Sequence, residues 1–205
     1  MSVDATLFGE VVVTLVVIMD PPGNVPIFLS VTRRLDDRER NRAALLAVLT
    51  ALVIIVGFAL LGEQVLDYLN VSLPALEGAG GLLLLLVALE LLTGDGGGSA
   101  DASPEQRMSI AMVPLGTPLL AGPGAIVATI VFVSHSEGPS EWAAIGLGIS
   151  TVLLIVYLAL RFAGVLNRLL RPAGVLLLSR VAGILLAAIA VQLIANATIE
   201  FARQV

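Results

Sequence analysis

Cysteine and lysine are both missing from this sequence, and histidine occurs once, at His135. Without cysteine there is no disulfide framework, no thiol nucleophile and no thiolate metal site. His135 has no second histidine with which to share a metal, so it is expected on the surface of an outer loop, and no metal or cofactor is expected. Charge is scarce too: 13% of residues are charged and 58% hydrophobic, with a mean hydropathy of +1.01. Ordinary soluble domains are about one quarter charged, so that class is excluded. The signatures of hydrolases, zinc proteases, P-loop proteins and dinucleotide enzymes are also lacking, which argues against an enzyme. Gly96-Gly97-Gly98 has no following lysine and lies in an acidic loop, where it reads as a linker. What is left is an all-α polytopic membrane protein, surrounded by lipid and built as one membrane domain over residues 1–205.

A helix needs roughly 20 apolar residues to cross a bilayer. Six stretches approach that length: residues 5–32, 43–68, 76–92, 108–133, 143–161 and 181–199, the fifth with an expected cytosolic extension to Leu170. Asp4 and Glu10 stand where a cleavable signal would carry basic residues, so the first stretch is expected to remain as a span. Ten of the eleven arginines fall on one side of a six-span chain, and only Arg203 falls on the other. The positive-inside rule makes the arginine-rich side cytoplasmic and puts both termini outside a cell or inner membrane. That topology explains the arginines without nucleic-acid binding.

Spans one and four are interrupted. Asp20-Pro21-Pro22-Gly23-Asn24-Val25-Pro26 breaks the first, and Ala121-Gly122-Pro123-Gly124 breaks the fourth. Proline lacks the amide hydrogen a helix needs, and glycine weakens a helix interior. Such breaks persist at membrane depth only inside protein or against a polar cavity. A shift of 101 residues lays Pro22-Gly23 on Pro123-Gly124, and a shift of 102 lays Gly81 on Gly183, Ala88 on Ala190 and Glu90 on Gln192. The chain thus reads as two halves, residues 5–93 and 108–200, joined by a loop at 94–107. Each half holds three spans, an odd number, so the halves must be inverted. Paired interruptions in such halves mark a transporter's substrate site.

The Asp20–Pro26 motif, the run Pro114-Leu115 to Gly124-Ala125-Ile126, and the ending Gly183-Ile184-Leu185-Leu186 to Val191-Gln192 together resemble the MarC family of membrane proteins. That family includes small neutral amino acid transporters called SnatA. The resemblance covers nearly the whole chain and implies six spans, two inverted repeats and transport of substrates such as glycine and alanine.

Asp20 is the sharpest single residue, because an ionised carboxylate near the bilayer centre costs ~2.5–3.5 kcal/mol by insertion scales. It reads either as the N-cap of the second half of span one, or as a group that holds a substrate ammonium or carries a coupling proton. Pro21, Pro22, Gly23 and Asn24 on one side, and Ala121, Gly122, Pro123 and Gly124 on the other, are expected to surround a small zwitterionic amino acid, with Thr117 as a further polar lining. Free amides at the Gly122–Gly124 helix start suit a carboxylate. Glu90 is the second candidate for proton coupling, against a plain interfacial role. Gln192 is expected to hydrogen-bond across helices, and Glu63 and Asp67 to be solvated. The resulting function is a secondary transporter working by alternating access, coupled to H⁺. Rival readings are an exporter or channel for another small metabolite, or a structural membrane protein; an oligomer is compatible with all of them.

Overall fold

The computed structural model describes residues 4–32, 35–93 and 120–204. Its helices are α1 (Ala5–Met19), α2 (Pro21–Val31), α3 (Asp37–Tyr68), α4 (Leu73–Thr93), α5 (Pro123–Ser134), α6 (Pro139–Arg161) and α7 (Ala163–Gln204). Among the described residues, five stretches are long and apolar enough to cross a membrane: Ala5–Leu29, Asp37–Tyr68, Leu73–Thr93, Pro139–Arg161 and Ala173–Arg203; α5 is a shorter apolar helix. The chain is therefore an all-α multi-pass membrane protein. The first part of the expected fourth span, the loop at 94–107, and Arg33, Arg34, Arg107 and Thr117 lie outside the described residues.

Local chemistry sets the helix ends. The Asp4 carboxylate accepts the amides of Thr6 and Leu7 at 2.9 and 3.0 Å and starts α1. Asp36 and Glu39 form a reciprocal capping box at the start of α3, each satisfying the other's backbone amide. At the far end of α3 the chain turns through Asn70, whose φ of 52° lets the Val71 amide return to the Leu66 carbonyl at 2.9 Å. Helix α3 has 32 residues, about 48 Å at 1.5 Å per residue, more than a bilayer core needs. Its first turns, with Arg38, Arg40 and Arg42, can thus stand beyond the apolar zone.

Large apolar side chains face outward along the helices: Val53, Leu154, Leu177 and Ile184 are all exposed. Against lipid, such exposure carries no hydrophobic penalty. The interior holds two clusters. The larger joins α1, α2, α3, α5 and α6 around Val11, Leu15, Phe28, Ala51, Ile55, Val152 and Val156. The smaller joins the end of α1 to α4 and α7 through Val17, Leu84, Ala88, Leu186 and Ala190.

Helices α4 and α7 pack against each other more extensively than any other pair, and small residues make their approach close. A Cβ on Gly81 would stand 2.7 Å from the Ala190 carbonyl oxygen and 2.7 Å from Ile194 Cγ1. A Cβ on Gly183 would stand 3.1 Å from the Ala88 carbonyl oxygen and 3.1 Å from Leu92 Cγ. Gly81 leaves no room for a Cβ and Gly183 leaves little, which lets the two backbones meet. The buried stripe of α4 is Glu77, Gly81, Leu84 and Ala88; that of α7 is Ser179, Gly183, Leu186 and Ala190. The two short helices also pack in a matched way, α2 on α6 and α7, α5 on α3 and α4.

Two sequence expectations are corrected here. The segment after Arg161 does not extend the fifth span; Phe162 ends α6 with φ −103° and ψ 22°, and residues 163–204 form one helix. The turn carries no glycine or proline at Phe162 itself, so no local signal marked it. Gln192 does not bridge helices: it lies on the exposed face of α7 and donates to Asn196 Oδ1 of the same helix at 2.8 Å.

Candidate functional site

Helices α1 and α2 would form one rod but for two consecutive prolines. An α-helix needs the amides of residues 21 and 22 to serve the carbonyls of Val17 and Ile18; proline has neither amide. The first amide available in α2 is that of Gly23, and it donates to Asp20 Oδ1 at 3.3 Å. The Asp20 amide closes α1 on the Val16 carbonyl at 3.0 Å, and the Asn24 amide opens α2 on the Asp20 carbonyl at 3.1 Å. Asn24 Nδ2 then donates to the Met19 carbonyl at 2.6 Å, replacing the bond that Gly23 gave up. Asp20 is at once the last residue of one helix and the cap of the next, with φ 35° and ψ 67°. Aspartate is among the few non-glycine residues that adopt this left-handed geometry readily.

Asp20 is only 7% exposed. Its second carboxylate oxygen accepts a hydrogen bond from Ser179 Oγ of α7 at 3.0 Å. Gly23 closes this arrangement, because a Cβ there would collide with the Asp20 carboxylate and stand 2.9 Å from Ser179 Oγ. The geometry therefore displays the capping role of Asp20 directly. What the junction leaves over is acceptors: the Val17 and Ile18 carbonyls have no donor from their own helix.

The second break is built differently. Gly122 precedes α5 in extended conformation (φ −65°, ψ 166°), and among the described residues no side chain caps the helix start. Pro123 occupies the first turn and is exposed, whereas Leu120, Ala121 and Gly124 are buried. A Cβ on Gly124 would collide with Leu84 Cδ2 of α4 and lie 3.3 Å from Ile18 Cγ2. Ile18 belongs to the last turn of α1, so the start of α5 is packed against the first junction. The structure thus sets Gly124 beside Ile18, two residues before Asp20.

A model of MarC family integral membrane proteins matches residues 5–201. The chain belongs to the MarC family. It is 39% identical over 184 residues to a UPF0056 membrane protein of Methanocaldococcus jannaschii, covering 87% of this chain and 89% of that one. It is 35% identical over 194 residues to one from Archaeoglobus fulgidus (91% and 90% covered), and 33% identical over 199 residues to one from Aquifex aeolicus (93% and 91%). No solved structure matches it.

Membership makes this MarC protein an integral membrane protein and not an enzyme. Among the described residues, no group of three or more His, Cys, Asp or Glu is disposed to hold a metal ion. Glu90 is exposed near the end of α4 and takes no part in the polar cluster around Asp20; Glu63 and Asp67 are exposed as well. His135 is exposed, with Nδ1 2.8 Å from the Val131 carbonyl oxygen. Thr117 lies outside the described residues. Two residues of this MarC protein escaped the sequence reading: Ser179, the partner of Asp20, and Glu77, buried in α4 with 3% exposure. Both lie on the stripes that hold Gly183 and Gly81, one turn before each glycine, and stand 102 positions apart.

Proposed function

We propose that this MarC protein is a secondary transporter of small neutral amino acids, with glycine or alanine held where the two broken helices meet. The observation that carries this reading is the packing of Gly124, at the start of α5, on Ile18, at the end of α1. A zwitterion suits the chemistry of the two sides. Its ammonium would face the carbonyls of Val17 and Ile18 and the negative charge of Asp20. Its carboxylate would face the uncapped start of α5, where the helix dipole is positive. Proline at 123 and glycine at 122 and 124 leave little side-chain bulk in the way, which favours a small substrate.

In this reading the architecture is two inverted three-helix repeats, the fourth span completing the count of six. The reciprocal contacts support it: Gly81 meets Ala190 and Ile194, while Gly183 meets Ala88 and Leu92, each residue 102 positions from its counterpart. The halves are set unequally. Gly23 lies at Ser179, but Gly124 lies at Leu84 and not at Glu77, the counterpart of Ser179. The difference is about two helical turns, ~10 Å along the axis. Two settings of one motif are what alternating access between repeats requires. The arginines at the start of α3 and the end of α6 support a cytoplasmic placement of those ends, with both termini outside the inner membrane.

Counterflow in proteoliposomes tests the reading. Labelled glycine or alanine should accumulate against an unlabelled internal pool, and a pH gradient should drive uptake. A channel would conduct without exchange, and a structural protein would do neither; either result removes the proposal. Asp20→Asn should keep the fold and abolish the response to the pH gradient, and an unchanged response would remove Asp20 from proton coupling.

A further inference from the structure

A cavity of about 610 Å³ opens at the end of the molecule where α1, α4 and α6 begin and α5 and α7 finish, three turns of α1 away from the helix junction. Its volume falls within the range of small-molecule pockets. Five acids line it, Asp4, Glu10, Glu77, Glu141 and Glu200, against two basic side chains, His135 and Arg203. Two of the acids are already engaged: Asp4 caps α1, and Glu141 Oε2 accepts the Glu137 amide at 2.7 Å. Glu10, Glu77 and Glu200 remain.

Glu77 sets this cavity apart from an ordinary acidic surface. It is 3% exposed, and its Oε2 is buried with no hydrogen-bond partner. Buried carboxylate oxygens are almost always satisfied, and an orphan calls for a ligand, ion or water. The ion pair among the described residues is Arg40–Asp37, so neither His135 nor Arg203 forms an ion pair with Glu77. By the repeat correspondence Glu77 stands where α7 has Ser179, whose hydroxyl has Asp20 to bond. The counterpart of Asp20 is Ala121, which offers Glu77 nothing.

We propose that this cavity is a binding site for a small organic ammonium ion, with the charged nitrogen donating to Glu77. A bare metal ion fits poorly, because no three acidic or histidine side chains converge among the described residues. Leu7, Phe132, Leu193 and Ile199 also line the cavity and offer contact for carbon. An alkylammonium ion presents both parts, N–H donors and a hydrocarbon body. The proposal does not rest on the transport reading, since the cavity is separate from the helix junction.

The test uses the full-length protein in detergent micelles, with ethylammonium chloride as probe and sodium chloride at equal concentration as reference. Ethylammonium should raise the midpoint of thermal unfolding above the sodium reference, and Glu77→Gln, which keeps the side chain's shape, should abolish the rise. No rise in the wild type, or an equal rise in Glu77→Gln, would overturn the proposal. Should Glu77→Gln fail to fold, Glu200→Gln decides the matter by titration calorimetry: the affinity should fall at least three-fold, and an unchanged affinity would overturn it.

Discussion

The two helix interruptions of this protein solve one backbone problem in opposite ways. At the first, Asp20 spends both carboxylate oxygens on its own surroundings, one on the Gly23 amide and one on Ser179 Oγ. Asn24 repairs the Met19 carbonyl, and the prolines remove two amides that would otherwise need partners. At the second, no side chain among the described residues caps α5, and Gly122, Pro123 and Gly124 have none that could. The first junction is closed by the protein's own groups on the donor side; the second leaves its positive helix end to whatever lies beside it. A pair of equally capped breaks would be two kinks. An unequal pair differs in charge: a carboxylate at the first break, a bare helix start at the second.

The largest expected effect comes from crowding the contact of Gly124 with Leu84 and Ile18. Gly124→Val should push on Leu84 and Ile18, lower stability by up to about 3 kcal/mol, and abolish exchange in counterflow. Retention of both would mean that the junctions need not touch. Next comes the cap of the first break. Asp20→Ala should cost about 2 kcal/mol in reversible denaturant unfolding, because it removes the helix cap and strands Ser179. Asp20→Asn should recover most of that loss, since asparagine also caps and tolerates a left-handed backbone. Equal losses in the two variants would show that charge, not capping, holds the first junction. The smallest effect belongs to Ser179→Ala, about 1 kcal/mol, with exchange retained. A loss as large as that of Asp20→Ala would move the weight of the junction from α1 to α7.

Much of this was legible from residues alone, and for a physical reason. Proline and glycine act on the backbone wherever they occur, so the break at Pro21-Pro22-Gly23 and the helix start at Pro123 could be placed without coordinates. Helix length could be read because lipid demands a minimum apolar run. The polar groups were harder. Ser179 is a small residue beside Arg180, and nothing local says that it meets a carboxylate 159 residues away. Glu77 is an acid near a helix start, and nothing local says that it is buried. Extending the 102-residue correspondence one turn back from Gly81 and Gly183 would have found both. Gln192 shows the reverse error. It shares a repeat position with Glu90, but both lie off the stripe of Leu186 and Ala190, and facing direction rather than residue type decides what a side chain can reach. The turn at Phe162 left no trace because an aromatic residue neither forces nor forbids it.

The tandem prolines carry one more implication. A hinge that depends on packing can straighten when its neighbours move, but amides missing from the covalent chain cannot be regained by any rearrangement. Whatever cycle this protein undergoes, the segments on either side of Asp20 remain two levers on a permanent pivot, and the Val17 and Ile18 oxygens that lost their helical donors travel with it.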